Sequence, residues 1–126
     1  MTFSAYRASL LALTLVAFSG PVFAQDNPAQ LAALAREART AGEHADVARR
    51  YRLQADALDA KAAQHEARAE TLAKNAPGIA HKWPSMAPQN AKLAKQQAVD
   101  ARRAARESRE LASHHQSLAV EALAAQ

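Results

Sequence analysis

HADVARRYRLQADALDAKAAQHEARAE, residues 44–70, is the stretch that decides the fold. From Ala48 every seventh residue is alanine: Ala48, Ala55, Ala62 and Ala69. A second row at the same step reads His44, Tyr51, Leu58 and His65. Two rows with a seven-residue period, three and four apart, are the two core positions of a heptad helix. The rows extend outward through Leu34, Glu37, Ala41 and Leu72. A comparable pair recurs later, with Ala91, Ala98, Ala105, Ala112 and Ala119 in one row. Ala94, Ala101, Ser108, His115 and Ala122 form the other, and Leu111 and Leu118 widen the stripe. An offset of 50 residues superposes Ala48, Ala55, Ala62, His65 and Ala69 on Ala98, Ala105, Ala112, His115 and Ala119. Either an old duplication or two independent Ala-rich heptad helices would produce that match.

Breakers between the two regions set the boundaries. Asn27-Pro28 opens a helix, with Asn as a favoured cap, Pro suited to the first turn and Gln30 at the reciprocal capping position. From there to Asn75 the only breaker is Gly42, which costs about 1 kcal/mol relative to Ala and is expected to loosen the helix locally. Ala76-Pro77-Gly78 reads as a stop, and Pro84 and Pro88 follow. The sequence therefore predicts a helix over about 28–75, a loop over about 76–87 and a helix over about 88–123, capped by Ser85 or Ala87. The expected fold class is all-α: an antiparallel two-helix hairpin, an Ala-rich coiled coil, with pairing into a four-helix bundle expected to cover apolar residues off the seam. Leu31, Leu34, Leu53, Val99 and Leu123 are such residues. Small seam residues should let the helix axes approach the low end of about 8–10 Å.

The N-terminus has a different character. Arg7 is the only charge before Ala8–Phe18, an apolar run, and Gly20-Pro21 then precede Val22-Phe23-Ala24, with small residues flanking a cleavage point. That order is the signature of a secretory signal peptide. Eleven residues are too few to span a bilayer core of about 30 Å as a helix. Residues 1–24 are thus expected to be cleaved near Ala24, releasing 25–126 to the periplasm or the medium. The chain contains no Cys, so neither a lipid anchor nor disulfides are available to it. All three Phe residues lie in the signal, leaving Tyr51 and Trp83 as the large aromatics of the remainder. Residues 25–126 contain 30 Ala, and such a chain is helical by local preference while each buried methyl contributes only about 0.8 kcal/mol.

Charge patterning marks the solvated faces. Asp46–Arg50, Arg52–Asp56, Glu70–Lys74, Arg103–Glu107 and Arg106–Glu110 are opposite charges one helical turn apart. Basic charge concentrates near the loop: Lys74, Lys82, Lys92, Lys95, Arg102, Arg103 and Arg106 share that region with a single acid, Asp100. With Trp83 as an aromatic anchor, Lys82, Lys92, Lys95, Arg102 and Arg103 form a candidate surface for anionic envelope components or unfolded protein. More simply, Trp83 and Ile79 fold back and cap the end of the seam. Nucleic acid is disfavoured as a partner by the expected compartment.

Chemistry has few footholds. His65-Glu66 begins like a zinc-protease motif, but position 69 is Ala and the second ligand is missing. Ser108, Ser113 and Ser117 lack an acid at workable spacing to complete a triad with His114 or His115. No Gly-rich phosphate loop or calcium loop occurs. An enzyme is not expected, and no cofactor is expected. With the turn centred near residue 81 or 82, facing positions sum to about 163, which puts His115 near Ala48, one turn from His44, and Tyr51 near Ala112. His44 and His115 are therefore candidate ligands for a two-His metal site; otherwise they fill ordinary seam positions.

The His44, Tyr51, Leu58, His65 ladder, Ser85-Met86-Ala87 before the second helix and Leu111-Ala112-x-x-His115 resemble a family of small Ala-rich exported bacterial proteins with no assigned activity. The resemblance covers most of residues 25–126 and implies architecture and compartment. Relatives in that family often carry a His-Cys pair after Ser-Met-Ala. Here Pro88-Gln89-Asn90 stand in that place, so the resemblance implies no thiol or metal role.

Overall fold

The structure is a computed structural model and describes residues 27–80 and 86–126. It is all helical: α1 spans Pro28–Glu37, α2 Ala41–Ala80 and α3 Met86–Ala124. Residues 1–24, and His81 to Ser85 of the expected loop, lie outside the described residues. Asn27 caps α1 as its sequence suggests, its Oδ1 accepting from the Ala29 N–H at 3.1 Å, with Pro28 in the first turn.

The expected single helix over 28–75 is two helices, and the break is not at Gly42. Ala38 takes an extended ψ of 130°. Thr40 then caps α2: its Oγ1 accepts from the Glu43 N–H at 3.2 Å, and Glu43 Oε2 accepts from the Thr40 and Arg39 N–H groups at 2.9 and 2.8 Å. This is a reciprocal Thr-x-x-Glu capping box with one extra donor. Those backbone N–H groups hold the Glu43 carboxyl below the usual carboxylate range. The Arg39 guanidinium meanwhile donates to the carbonyls of Arg36 and Ala38, at 3.1 and 3.3 Å, closing the end of α1. Gly42 sits in the first turn of α2 and nothing would meet a Cβ there within 4 Å.

The other boundaries also move. α2 continues through Pro77 to Ala80, five residues past the expected stop. The fixed φ of proline is itself helical, so the cost is a missing hydrogen bond and crowding, about 3 kcal/mol, rather than a forced exit. α3 starts at Met86, two residues earlier than expected, with Pro88 in the first turn where N–H groups have no intrahelical partner.

α2 and α3 pack along their length as an antiparallel hairpin. The seam is the heptad pattern made physical. On α2, Ala41, Ala48, Ala55, Ala62 and Ala69 are buried, and so is Tyr51. On α3 both rows are buried: Ala91, Ala98, Ala105, Ala112 and Ala119, with Ala94, Ala101, Ser108 and His115. The hydroxyl of Ser108 donates to the Ala104 carbonyl at 2.9 Å, so it enters the seam without an unmet hydrogen bond. The two sides are unequal, since only α2 supplies a row of larger residues, among them His44, Leu58, His65 and Leu72, all half-buried.

Register is marked by a ladder down one flank. Arg52 donates to Gln116 at 3.2 Å, Arg109 pairs with Asp59, and Arg102 forms a two-pronged pair with Glu66 at 2.8 and 2.8 Å. Each rung steps seven residues forward on α2 and seven back on α3. Arg102 lowers the Glu66 carboxyl, and Asp59 raises the Arg109 guanidinium. These groups are open to solvent, where ion pairs contribute little net stability, so their effect is chiefly to disfavour slipped registers.

α1 closes the end of the hairpin remote from the loop. Leu31, only 1% exposed, forms a cluster with Ala38, Val47, Tyr51 and Ala112, and Ala35 packs against it. Leu31 was expected to need a second chain to cover it. It is instead covered within the chain, because the break at 38–40 lets α1 turn onto the seam.

Candidate functional site

The end closed by α1 carries the densest chemistry among the described residues. His44, in the first turn of α2, and His115, in the last third of α3, sit 71 residues apart in sequence. Their Nδ1 atoms are 3.0 Å apart and their ring centroids 5.2 Å apart. His44 belongs to the larger-residue row of α2 and His115 to the second row of α3, and the antiparallel register brings the two level at this point. The expected register placed His115 one turn from His44; the structure places the two in direct contact. Tyr51 follows one heptad after His44, and its ring stacks on His115 at a centroid distance of 6.0 Å. His114 meets His115 edge to face at 5.6 Å.

Two imidazole nitrogens 3.0 Å apart are at hydrogen-bond distance, so one ring carries the proton on Nδ1 and the other accepts it. His115 is 5% exposed. Its pKa is lowered, first by burial, then by the neighbouring His44 and His114. Burial also raises the Tyr51 hydroxyl. The cluster is thus a polar inclusion in a seam built mainly of alanine, and the described residues contain no buried side-chain polar atom without a partner.

Beside it, α1 and α2 enclose an open cleft of about 330 Å³, whose wall includes Leu34, Val47 and the carboxylates of Glu37, Glu43 and Asp46. Asp46 is held low by Arg49 and Arg50, the latter donating through Nε at 2.7 Å. Among the described residues no three His, Asp or Glu side chains converge as a ready-made metal cage.

The basic surface assembles less fully. Lys82 and Trp83 lie outside the described residues. Lys92 and Lys95 are exposed on α3. Arg102 is engaged by Glu66 and Arg103 donates to Asp100 at 3.2 Å, so both are partly neutralised within the chain. Of the helix-spaced pairs, Asp46–Arg50 and Glu70–Lys74 form, whereas Arg52 reaches across to Gln116 and Arg103 turns back to Asp100.

Two features escaped the sequence reading. The Thr40-x-x-Glu43 box is a four-residue signal visible in the chain, and it locates the break that Gly42 suggested two residues late. The ladder was visible as Arg52, Asp59 and Glu66 at one flank position and Arg102, Arg109 and Gln116 at another, but choosing between it and pairs within a helix requires the register. No family model, no curated protein and no solved structure matches the chain.

Proposed function

We propose that this is an exported, non-enzymatic helical-hairpin protein that acts by association through its outer faces, first of all with a second copy of itself. One observation carries this reading. The large apolar side chains of α2 and α3 are largely turned outward, with Leu53, Leu93, Val99, Val120 and Leu123 between 52% and 63% exposed, while the seam is closed by alanine. An alanine seam buries little apolar area per helix, so covering outward leucines and valines in a four-helix bundle is the strongest remaining driving force. Export rests on the charged, apolar and small-residue order of residues 1–24. Among the described residues no helix is long and apolar enough to cross a membrane.

Sedimentation equilibrium of the untagged chain tests the reading. A concentration-dependent dimer that Leu123→Asp or Val99→Asp weakens supports it. A folded monomer at all concentrations removes it. Recovery of chain beginning at Gln25 from the envelope fraction tests export separately.

A second reading is a holdase for unfolded or acidic chains, or a binder of anionic envelope surfaces. It is favoured by Lys92, Leu93 and Lys95, which place charge and an apolar side chain together on exposed α3. Suppression of client aggregation at stoichiometric amounts, lost on Lys92→Glu with Lys95→Glu, would support it over self-association.

A further inference from the structure

We propose that His44 and His115 form a two-imidazole site for a divalent transition metal, with Cu²⁺ as the preferred ion. The geometry is that of coordination as much as of a hydrogen bond. Two metal–nitrogen bonds of about 2.0–2.1 Å span a 3.0 Å separation when they meet at roughly 95°. That angle lies between square-planar and tetrahedral, within reach of either Cu²⁺ or Zn²⁺, and the general order of divalent affinities favours copper. In the metal-free chain the Nδ1–H of one ring bridges to the other; on loading, that ring shifts its proton to Nε2, so both rings stay neutral and offer their Nδ1 lone pairs to the metal.

Preorganisation makes a site of only two protein ligands plausible chemistry. His44 and His115 stand on helices α2 and α3, locked by the alanine seam and the flank ladder, so little freedom remains to be lost on binding. The His115 ring is held between Tyr51 and His114. His44 is half-buried, leaving open coordination positions for water or an external ligand. Acidic charge stands nearby: Glu43 interacts electrostatically with His44, and the adjoining cleft also presents Glu37 and Asp46. Glu43 is engaged by the Arg39 and Thr40 N–H groups and Asp46 by Arg49 and Arg50, so the two imidazoles, not the local charge, carry the site. Because the site lies within one hairpin, it is independent of whether two hairpins associate.

The test is titration of the untagged chain with CuCl₂ and with ZnCl₂, by calorimetry and, for copper, by electron paramagnetic resonance. The expected result is one saturable Cu²⁺ per chain, with nitrogen coupling in the spectrum and weaker Zn²⁺ binding. His44→Gln and His115→Gln should each weaken it by more than about tenfold, whereas His65→Gln, three heptads from His44 along α2, should leave it within about twofold. Circular dichroism reports whether each variant keeps its helices. Should His115→Gln unfold, the half-exposed His44→Gln decides. No saturable binding, or binding unchanged in His44→Gln, would overturn the proposal.

Discussion

Replacing Ala105 by Leu is the sharpest test of the seam, because the two plausible kinds of hairpin predict opposite signs. Ala105 is 0% exposed, and Ala55 and Ala62 on the facing helix are equally closed to solvent. Leucine adds about three carbons, which in a conventional heptad core with room between axes would gain about 0.8 kcal/mol each. Here alanine lines both rows of α3 and one row of α2, so that room is absent. Inserting the side chain must push the helices apart or force it off its rotamer, at a typical net cost of about 1–3 kcal/mol. For a domain of this size, each kcal/mol moves the midpoint by about 4–8 °C, so a fall of about 5–20 °C is expected. Thermal unfolding followed by far-ultraviolet circular dichroism reads it directly. Ala60→Leu, at an exposed position on α2, is the control and should stay within about 0.5 kcal/mol of the parent. A rise in Tm for Ala105→Leu, at unchanged oligomeric state, would refute close alanine packing.

Leu31→Asp removes the one large, fully buried side chain that holds α1 to the hairpin. Amide exchange should lose protection across Pro28–Glu37 while α2 and α3 keep theirs, since α1 contributes none of their seam; loss of protection throughout would show that α1 is integral to the fold. The second expectation concerns pH in the metal-free chain, with chelator present. His115 has its pKa lowered by burial and by His44 and His114, so the unfolded chain binds a proton there more readily than the folded one. Stability from this group is therefore full above the unfolded value near 6.5 and is lost as pH falls through the lowered folded value. Tm should drop between about pH 7.5 and about pH 5, and His115→Asn should flatten that limb; an equally steep limb in the variant would place the effect elsewhere.

The alanine seam was legible residue by residue, whereas the buried Leu31, Ala38 and Val47 lie outside its rows. Every seam alanine from Ala41 to Ala69 and from Ala91 to Ala119 could be named from the seven-residue step, because periodicity reports which face a helix buries regardless of what it packs against. The candidate site was half legible. His44 and His115 could be singled out once an antiparallel register was assumed, but their 3.0 Å approach depends on that register to within a fraction of a turn. The place of α1 was illegible, since Leu31 looks the same on a straight helix as on one that turns back.

What the chain determined alone is therefore what is local: helix, heptad faces, the Asn27 cap and the Thr40–Glu43 box. Each arises from backbone propensity or from bonds between residues a turn apart, whose energies need no partner element. Only the tertiary structure decided which charges pair across the hairpin, that α1 covers the open end, and that two imidazoles meet there. Alanine is the reason: its methyl marks a face as buried but has too little shape to specify a register. Register fell instead to the Arg52, Asp59 and Glu66 flank, the larger side chains at Tyr51 and His115, and the docking of Leu31.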